Sequence, residues 1–348
     1  LNVFAVLILG TATVARAEQI GTFRLDDVFL EPTFRYIEAH RGEFSAGNSF
    51  LAAAWVRDSA ISVNFKLGSK ALLGVPLRYK SAPTVEAEHE LTFVEAFGQA
   101  ETTYGRIRAG LVPVPFGLEG GEAEAALQFD RSLFYRFRLI PLRDYGFNYH
   151  IDNEGFFSDW TVHNGEAGPD LDNEMWLTAR WGYASGRTRR DRFIVGFSGS
   201  TGRTTPASTQ SAGSSIATGS SRFRTGNFFF GWDRARFGVE LEGSLGEIRI
   251  DRGAGDEVSK FRSGHFDLSY LLVEGTRLLA RYDGYDPDIE KGNDTRQEAS
   301  IGVAWSSRYE TSSLSLLTTK VFLEGVTPDV HEVRLVWRLT PSVNPRLL

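Results

Sequence analysis

Apolar and polar residues alternate along almost the whole chain, and a period of two marks a strand with one apolar and one polar face. Ile61, Val63, Phe65 and Leu67 alternate with Ser62, Asn64 and Lys66. Met175, Leu177, Ala179, Trp181 and Tyr183 oppose Thr178, Arg180 and Gly182, and Phe266, Leu268, Tyr270 and Leu272 oppose His265, Asp267 and Ser269. No helical pattern of comparable length occurs outside residues 120–140. The alternation predicts strands at 29–39, 49–57, 59–67, 88–98, 102–112, 145–151, 154–164, 174–185, 190–199, 222–232, 235–249, 260–273, 276–286, 295–306, 310–322 and 330–339. Each is about ten residues, the length a tilted strand needs to cross an outer membrane.

The connections carry a second signal. Long segments at 40–48, 68–87, 113–144, 165–173, 200–221, 250–259, 287–294 and 323–329 alternate with turns around Asp58, Asp152-Asn153, Asp233-Arg234 and Glu274-Gly275. A sandwich has no reason to gather its long loops at one end. The pattern predicts an all-β fold, a transmembrane antiparallel β-barrel of about sixteen strands with short periplasmic turns, long outer loops and a third loop folded into the pore. Glu95 breaks the alternation on the outward face, unless its strand is slipped or bulged. Aromatics near strand ends (Tyr104, Tyr149, Trp160, Tyr183, Trp232, Trp305, Tyr309, Trp337) would form interfacial girdles.

Composition agrees. The 348 residues contain no Cys, so no disulfide framework or thiolate metal site is available. Mean hydropathy is −0.21, and after residue 17 no apolar run reaches the ~20 residues of a spanning helix. The net charge of −6 gives no case for nucleic acid. Residues 1–17, with an apolar core from Val3 to Leu9 and an Ala15-Arg16-Ala17 cleavage pattern, read as a signal peptide shortened at its start, and 18–348 as the barrel. Export through a leader places the barrel in a bacterial outer membrane.

A sixteen-strand barrel leaves an aqueous channel, and the polar face becomes its wall. Alternation puts Lys66, Arg106, Arg108, Arg180, Arg192, Arg236, Arg277, Arg281, Arg296, Arg334 and Arg338 there, against Glu240, Glu242, Asp267, Asp283, Glu298 and Glu332. Such a wall leans positive and would favour anions. The competing reading is that these arginines brace the barrel by pairing with wall carboxylates. The long connection 113–144 adds Asp130, Arg131, Arg136, Arg138 and Arg143. A loop of this length is expected to act, here by narrowing the pore, though its arginines could instead meet solvent or lipopolysaccharide phosphates.

Other chemistry finds little support. The six His include no H-E-x-x-H pair, and no G-x-S-x-G elbow or P-loop occurs. His163 near Ser158 is the one cheap candidate for a barrel lipid hydrolase. Asp283, Asp286 and Asp288 are weak Ca²⁺ candidates, outweighed by a solvated acidic loop that also includes Glu290 and Asp294. No cofactor is expected, and no enzyme activity.

GLVPVPFGLE (Gly110 to Glu119), RDYG (Arg143 to Gly146), HNGE (His163 to Glu166) and RYDGYDPD (Arg281 to Asp288) resemble motifs of the phosphate-selective porin O/P family. The resemblance is spread over roughly residues 88–340 and is strongest at 103–166. It implies a homotrimeric sixteen-strand channel with a folded third loop, and for some members phosphate or polyphosphate selectivity through lumenal basic residues. This chain has only six Lys, so a lysine-rich anion funnel does not carry over, and its last strand lacks a terminal Phe. The expected function is an outer-membrane channel for passive diffusion of small hydrophilic, preferentially anionic solutes, with membrane lipid and lipopolysaccharide around it. A barrel hydrolase, a non-conducting structural or adhesive barrel and a secreted β protein are the competitors.

Overall fold

The computed structural model of the protein describes residues 22–29, 33–37, 41–45, 49–56, 61–74, 86–122, 127–165, 174–188, 191–204, 220–251, 256–292, 294–307, 312–324 and 330–339. Residues 1–17, read above as a signal peptide, Tyr309 and the C-terminal tail lie outside them. Among the described residues no helix is long and apolar enough to cross a membrane.

The strands are β1 (Thr22–Phe29), β2 (Thr33–Ile37), β3 (Arg41–Ser45), β4 (Ser49–Val56), β5 (Ile61–Gly74), β6 (Glu86–Thr102), β7 (Gly105–Pro113), β8 (Arg143–Asn153), β9 (Phe156–His163), β10 (Trp176–Thr188), β11 (Asp191–Thr204), β12 (Ser220–Arg234), β13 (Phe237–Asp251), β14 (Asp256–Val273), β15 (Thr276–Asp286), β16 (Arg296–Ser306), β17 (Ser312–Leu323) and β18 (Val330–Leu339). All pairings are antiparallel between neighbours in sequence from β4 to β18. β18 pairs β2, β2 pairs β3, and β3 meets β5 at Phe44↔Leu73, so the ladder returns to its start. β1 pairs β4 as β2 pairs β3. β1 and β2 are therefore one interrupted barrel strand and β3 and β4 another, and the eighteen segments make sixteen.

Two expected loops shrink. Residues 40–48 contain β3, whose backbone completes the first hairpin, and 250–259 reduces to 252–255 because β13 and β14 run on past the expected ends. The Glu95 anomaly resolves as a β-bulge: Lys66 faces Glu95 and Leu67 faces Phe93, which leaves Val94 extra. The extra residue flips the face, so Glu95 turns inward and meets Lys66 Nζ at 3.5 Å and Arg143 Nε at 2.8 Å.

Burial is inside-out. Phe197, Phe228, Leu241, Phe266, Tyr282, Ile301, Leu316 and Leu335 are exposed, while their neighbours Ser198, Asn227, Glu242, His265, Asp283, Ser300, Ser315 and Arg334 are buried. In water such a surface would be a vast apolar patch. In a bilayer it is the required lipid face, with the backbone of the described strands paired in antiparallel ladders. At the short-turn end the outward rings pack together: Phe156 on Tyr183 and Phe237 on Tyr270, each at 4.9 Å between centroids. Trp232, Trp305 and Trp337 are exposed at the same end. This is the expected girdle, although Trp160 sits mid-strand against Trp181.

Candidate functional site

The described parts of the third loop, residues 114–122 and 127–142 between β7 and β8, fold inside the barrel. Its first half continues the alternation of β7, which buries Val114, Phe116 and Leu118. A four-residue helix α1 (Leu133–Arg136) buries Leu133, Phe134 and Tyr135. Apart from Leu118, which packs on Ile194 and Phe229, these side chains form an apolar cluster inside the lumen with Trp176, Phe223, Ile248, Phe261 and Tyr285 of the wall. Phe129 packs separately on Leu279 and Leu317. Burial on this scale stabilises the docked loop by roughly 1.5–3 kcal/mol per large side chain.

Polar anchors give the loop its register. Glu242 Oε2 accepts the Leu118 and Glu119 N–H groups at 2.9 and 3.1 Å, and Oε1 lies 3.0 Å from both the Tyr135 hydroxyl and Asn227 Nδ2. Ser198 Oγ accepts the Gly117 N–H at 2.8 Å, and Asp283 Oδ2 the Leu133 N–H at 2.7 Å. Gly117 has φ +59°, and a Cβ there would come 1.9 Å from Glu242 Oε1, so no other residue fits this approach. Loop and wall thus meet through wall carboxylates that accept loop backbone donors.

The charges of the loop are met in the same way. Glu119 Oε2 accepts the Ser132 N–H at 2.7 Å, and Oε1 lies 2.6 Å from Arg281 Nη2, which also binds Asp267. Burial would push the Glu119 carboxyl up, but Arg281, His265 and Ser132 outweigh it and hold it down at about 2. Burial, reinforced by Glu242, raises the Tyr135 phenol well above its usual value, so it stays a neutral donor. Asp130 pairs with Arg334, Arg136 with Glu298, and Glu122 with Arg192. Arg338 donates to the Leu127 carbonyl at 2.9 Å, and Arg131 to the Glu119 and Glu122 carbonyls.

The sequence-predicted basic residues therefore divide. Arg281, Arg334 and Arg338 hold the loop from the wall, while Arg131 and Arg136 are loop residues tied down themselves. Arg180 is buried over the Phe157 and Phe229 rings, 3.6 Å from Asp159. Arg277 pairs with Asp233 at 2.9 Å, and Arg296 with Glu298 at 2.7 Å. Arg236 does not sit on the wall. It occupies the exposed turn between β12 and β13, where Ala235 at φ +55° closes the hairpin early. Arg138 is exposed at φ 53°. Lys66 is tied to Glu95. Arg106 and Arg108 are half-buried on β7, Arg108 donating to Gln99 at 2.9 Å above the Phe97 ring. Inward carboxylates that simple alternation left uncounted, Glu95, Asp144, Asp159 and Asp233, offset the expected positive excess.

Ser158 and His163 lie on opposite faces of β9, so they form no pair. His163 is instead fully buried between Asp144 (2.8 Å) and Thr178 (2.9 Å), with Ser200 Oγ 2.8 Å beyond Thr178. The order resembles a nucleophile relay, but every member is sealed in the wall, where it fixes the base of the loop. Asp283 faces inward, Asp286 binds Arg262 at 3.0 Å and Asp288 binds Lys291 at 2.9 Å, so the three Ca²⁺ candidates do not converge. The ligand atoms that do converge, on Glu119, His265 and Asp267, lie within 4.8 Å of one another, and Arg281 already binds both carboxylates.

No protein-family model and no curated protein matches the chain. Among solved structures it is similar to OmpT of Vibrio cholerae, an outer membrane protein in its trimer form (10% identity, TM-score 0.65, 92% of this chain and 99% of that one). It is also similar to an anion-selective porin from Comamonas acidovorans (12%, 0.64, 92% and 99%) and to the outer membrane channel DcaP of Acinetobacter baumannii (10%, 0.64, 93% and 99%). At these identities the likeness concerns architecture, and with the inside-out burial it makes the chain a bacterial outer-membrane β-barrel of porin-like fold.

Proposed function

We propose that the protein is a passive outer-membrane channel for small hydrophilic solutes, without catalytic chemistry. The observation that carries this is the third loop, anchored inside the barrel against β11 to β18. It narrows the lumen from one side and leaves β5 to β7 to face the passage. On that side Arg106 has no ion-pair partner among the described residues, and Arg108 has a neutral one in Gln99. These two guanidiniums give the passage its anion preference. Kinship to the phosphate-selective porin O/P family, and assembly as a trimer, extend the same reading. They are supported by the quoted motifs and by the trimeric form of one structural neighbour.

Planar-bilayer recording of the detergent-purified protein under a salt gradient tests the proposal. We expect discrete conductance steps and a reversal potential of anion-preferring sign. Arg106→Glu with Arg108→Glu should carry that potential towards, or past, zero. Absence of conductance after verified insertion would defeat the channel reading, and an unmoved potential would remove the two arginines from the passage.

A further inference from the structure

On the lipid side of β10 to β13 the large apolar residues give way to a trough. Ala179, Gly199 and Gly226 are consecutive cross-strand neighbours facing outward. A Cβ built on Gly226 meets nothing within 4 Å, and one on Gly199 meets only a carbonyl at 3.8 Å. The resulting groove measures about 760 Å³, walled by Trp160 and Trp181 on one side and Leu245 on the other. Arg224 and Lys260 close its outer end.

The trough lies where the apolar band stops. Along β13 the outward residues run Phe237, Val239, Leu241, Gly243 and Leu245, and then change to Glu247 and Arg249. On β12 Phe228 and Gly226 give way to Arg224 and Arg222. Exposed cations thus outnumber the one acid, Glu247 between Arg224 and Lys260, at the long-loop end of this wall, where the short-turn end carries aromatic rings. Arg222 and Arg224 have no ion-pair partner among the described residues. A basic rim above a trough lacking side chains matches an amphiphile with anionic groups at the membrane surface and chains below.

We propose that this groove is a binding site for a phosphorylated, multiply acylated glycolipid of the outer leaflet. Its acyl chains lie over Ala179, Gly199 and Gly226, and its phosphates meet Arg222 and Arg224. Lipid tails are as apolar as the rest of the band, so apolarity alone gives no preference for this spot. Selectivity comes from the fit of chains into the trough and from guanidinium–phosphate pairing. A second copy of the chain would also fit small residues, but it would have to bury both unpaired guanidiniums. The site is independent of channel activity.

The test measures glycolipid retained through detergent purification, by mass spectrometry of the intact protein, and its re-addition as lipid A or dephosphorylated lipid A. Arg222→Glu with Arg224→Glu should lower retention by at least about tenfold, and Gly226→Phe, which fills the trough, should do the same with the charges intact. The dephosphorylated form should rebind more weakly, and millimolar inorganic phosphate should not displace the lipid. Heat-dependent gel mobility verifies folding of each variant. Unchanged retention in both variants, displacement by inorganic phosphate, or a Gly226→Phe protein that changes only its oligomeric state would each overturn the assignment.

Discussion

The two sides of the lumen present the same kinds of residue and use them differently. On β13 to β16 the charged groups are buried and spent on the third loop: Glu242 and Asp283 accept its backbone donors, and Arg281 spans Glu119 and Asp267. On β5 to β8 the charged groups lie at mixed depth, Asp144 fully buried and Arg106, Arg108 and Arg143 half-buried, and several tie to one another, as in Lys66–Glu95–Arg143. Charge on a pore wall is thus no measure of charge offered to a solute. A guanidinium already answered by a carboxylate in a dry contact contributes structure, and only one facing water can steer an ion.

The strongest way to break this contrast is Glu242→Ala. The change leaves the Leu118 and Glu119 N–H groups without their acceptor, at about 1–3 kcal/mol for each buried donor, while the Tyr135 hydroxyl keeps the Phe116 carbonyl. We expect the loop to leave the wall, with larger and noisier single-channel conductance and new protease cleavage within 114–142. A wild-type trace would show that the wall does not hold the loop.

Acid should act next, and late. Glu119 is held at about 2 against an ordinary 4.5, so its contribution to loop docking is complete above pH 4.5 and is lost as pH falls through about 2. Conductance should therefore gain, in acid stronger than about pH 4.5, an increment that a Glu119→Gln variant lacks. An identical acid response in the variant would place the anchoring charge elsewhere.

The mildest probe is Glu95→Gln on the opposite wall. It removes the carboxylate between Lys66 and Arg143, so the reversal potential should move slightly further towards anions without any change in noise. A noisy channel would mean that this wall, too, restrains the loop.

Much of the fold was legible because a barrel strand repeats every two residues, and each face answers to a single solvent. Strand β15 was read at its observed bounds, and β16 and β17 came within two residues. The reading failed where pairing and pattern part company. Arg41–Ser45 looks like a charged, Gly-containing loop, yet its backbone pairs with β2. Glu95 seemed to face lipid because strict alternation cannot register the extra residue at Val94. The candidate site was half legible: the length of the third loop announced its importance, and nothing local said which wall it would choose.

Residue order by itself determined the strands, the apolar outer face and the existence of one long inward-capable loop, because all three depend on neighbours two residues apart. Only the tertiary structure decided that Glu119 meets Arg281, that Leu133 meets Asp283, and that Gly199 lies beside Gly226. Those contacts depend on strand register and on the path of the loop, which join residues from 27 to 162 positions apart.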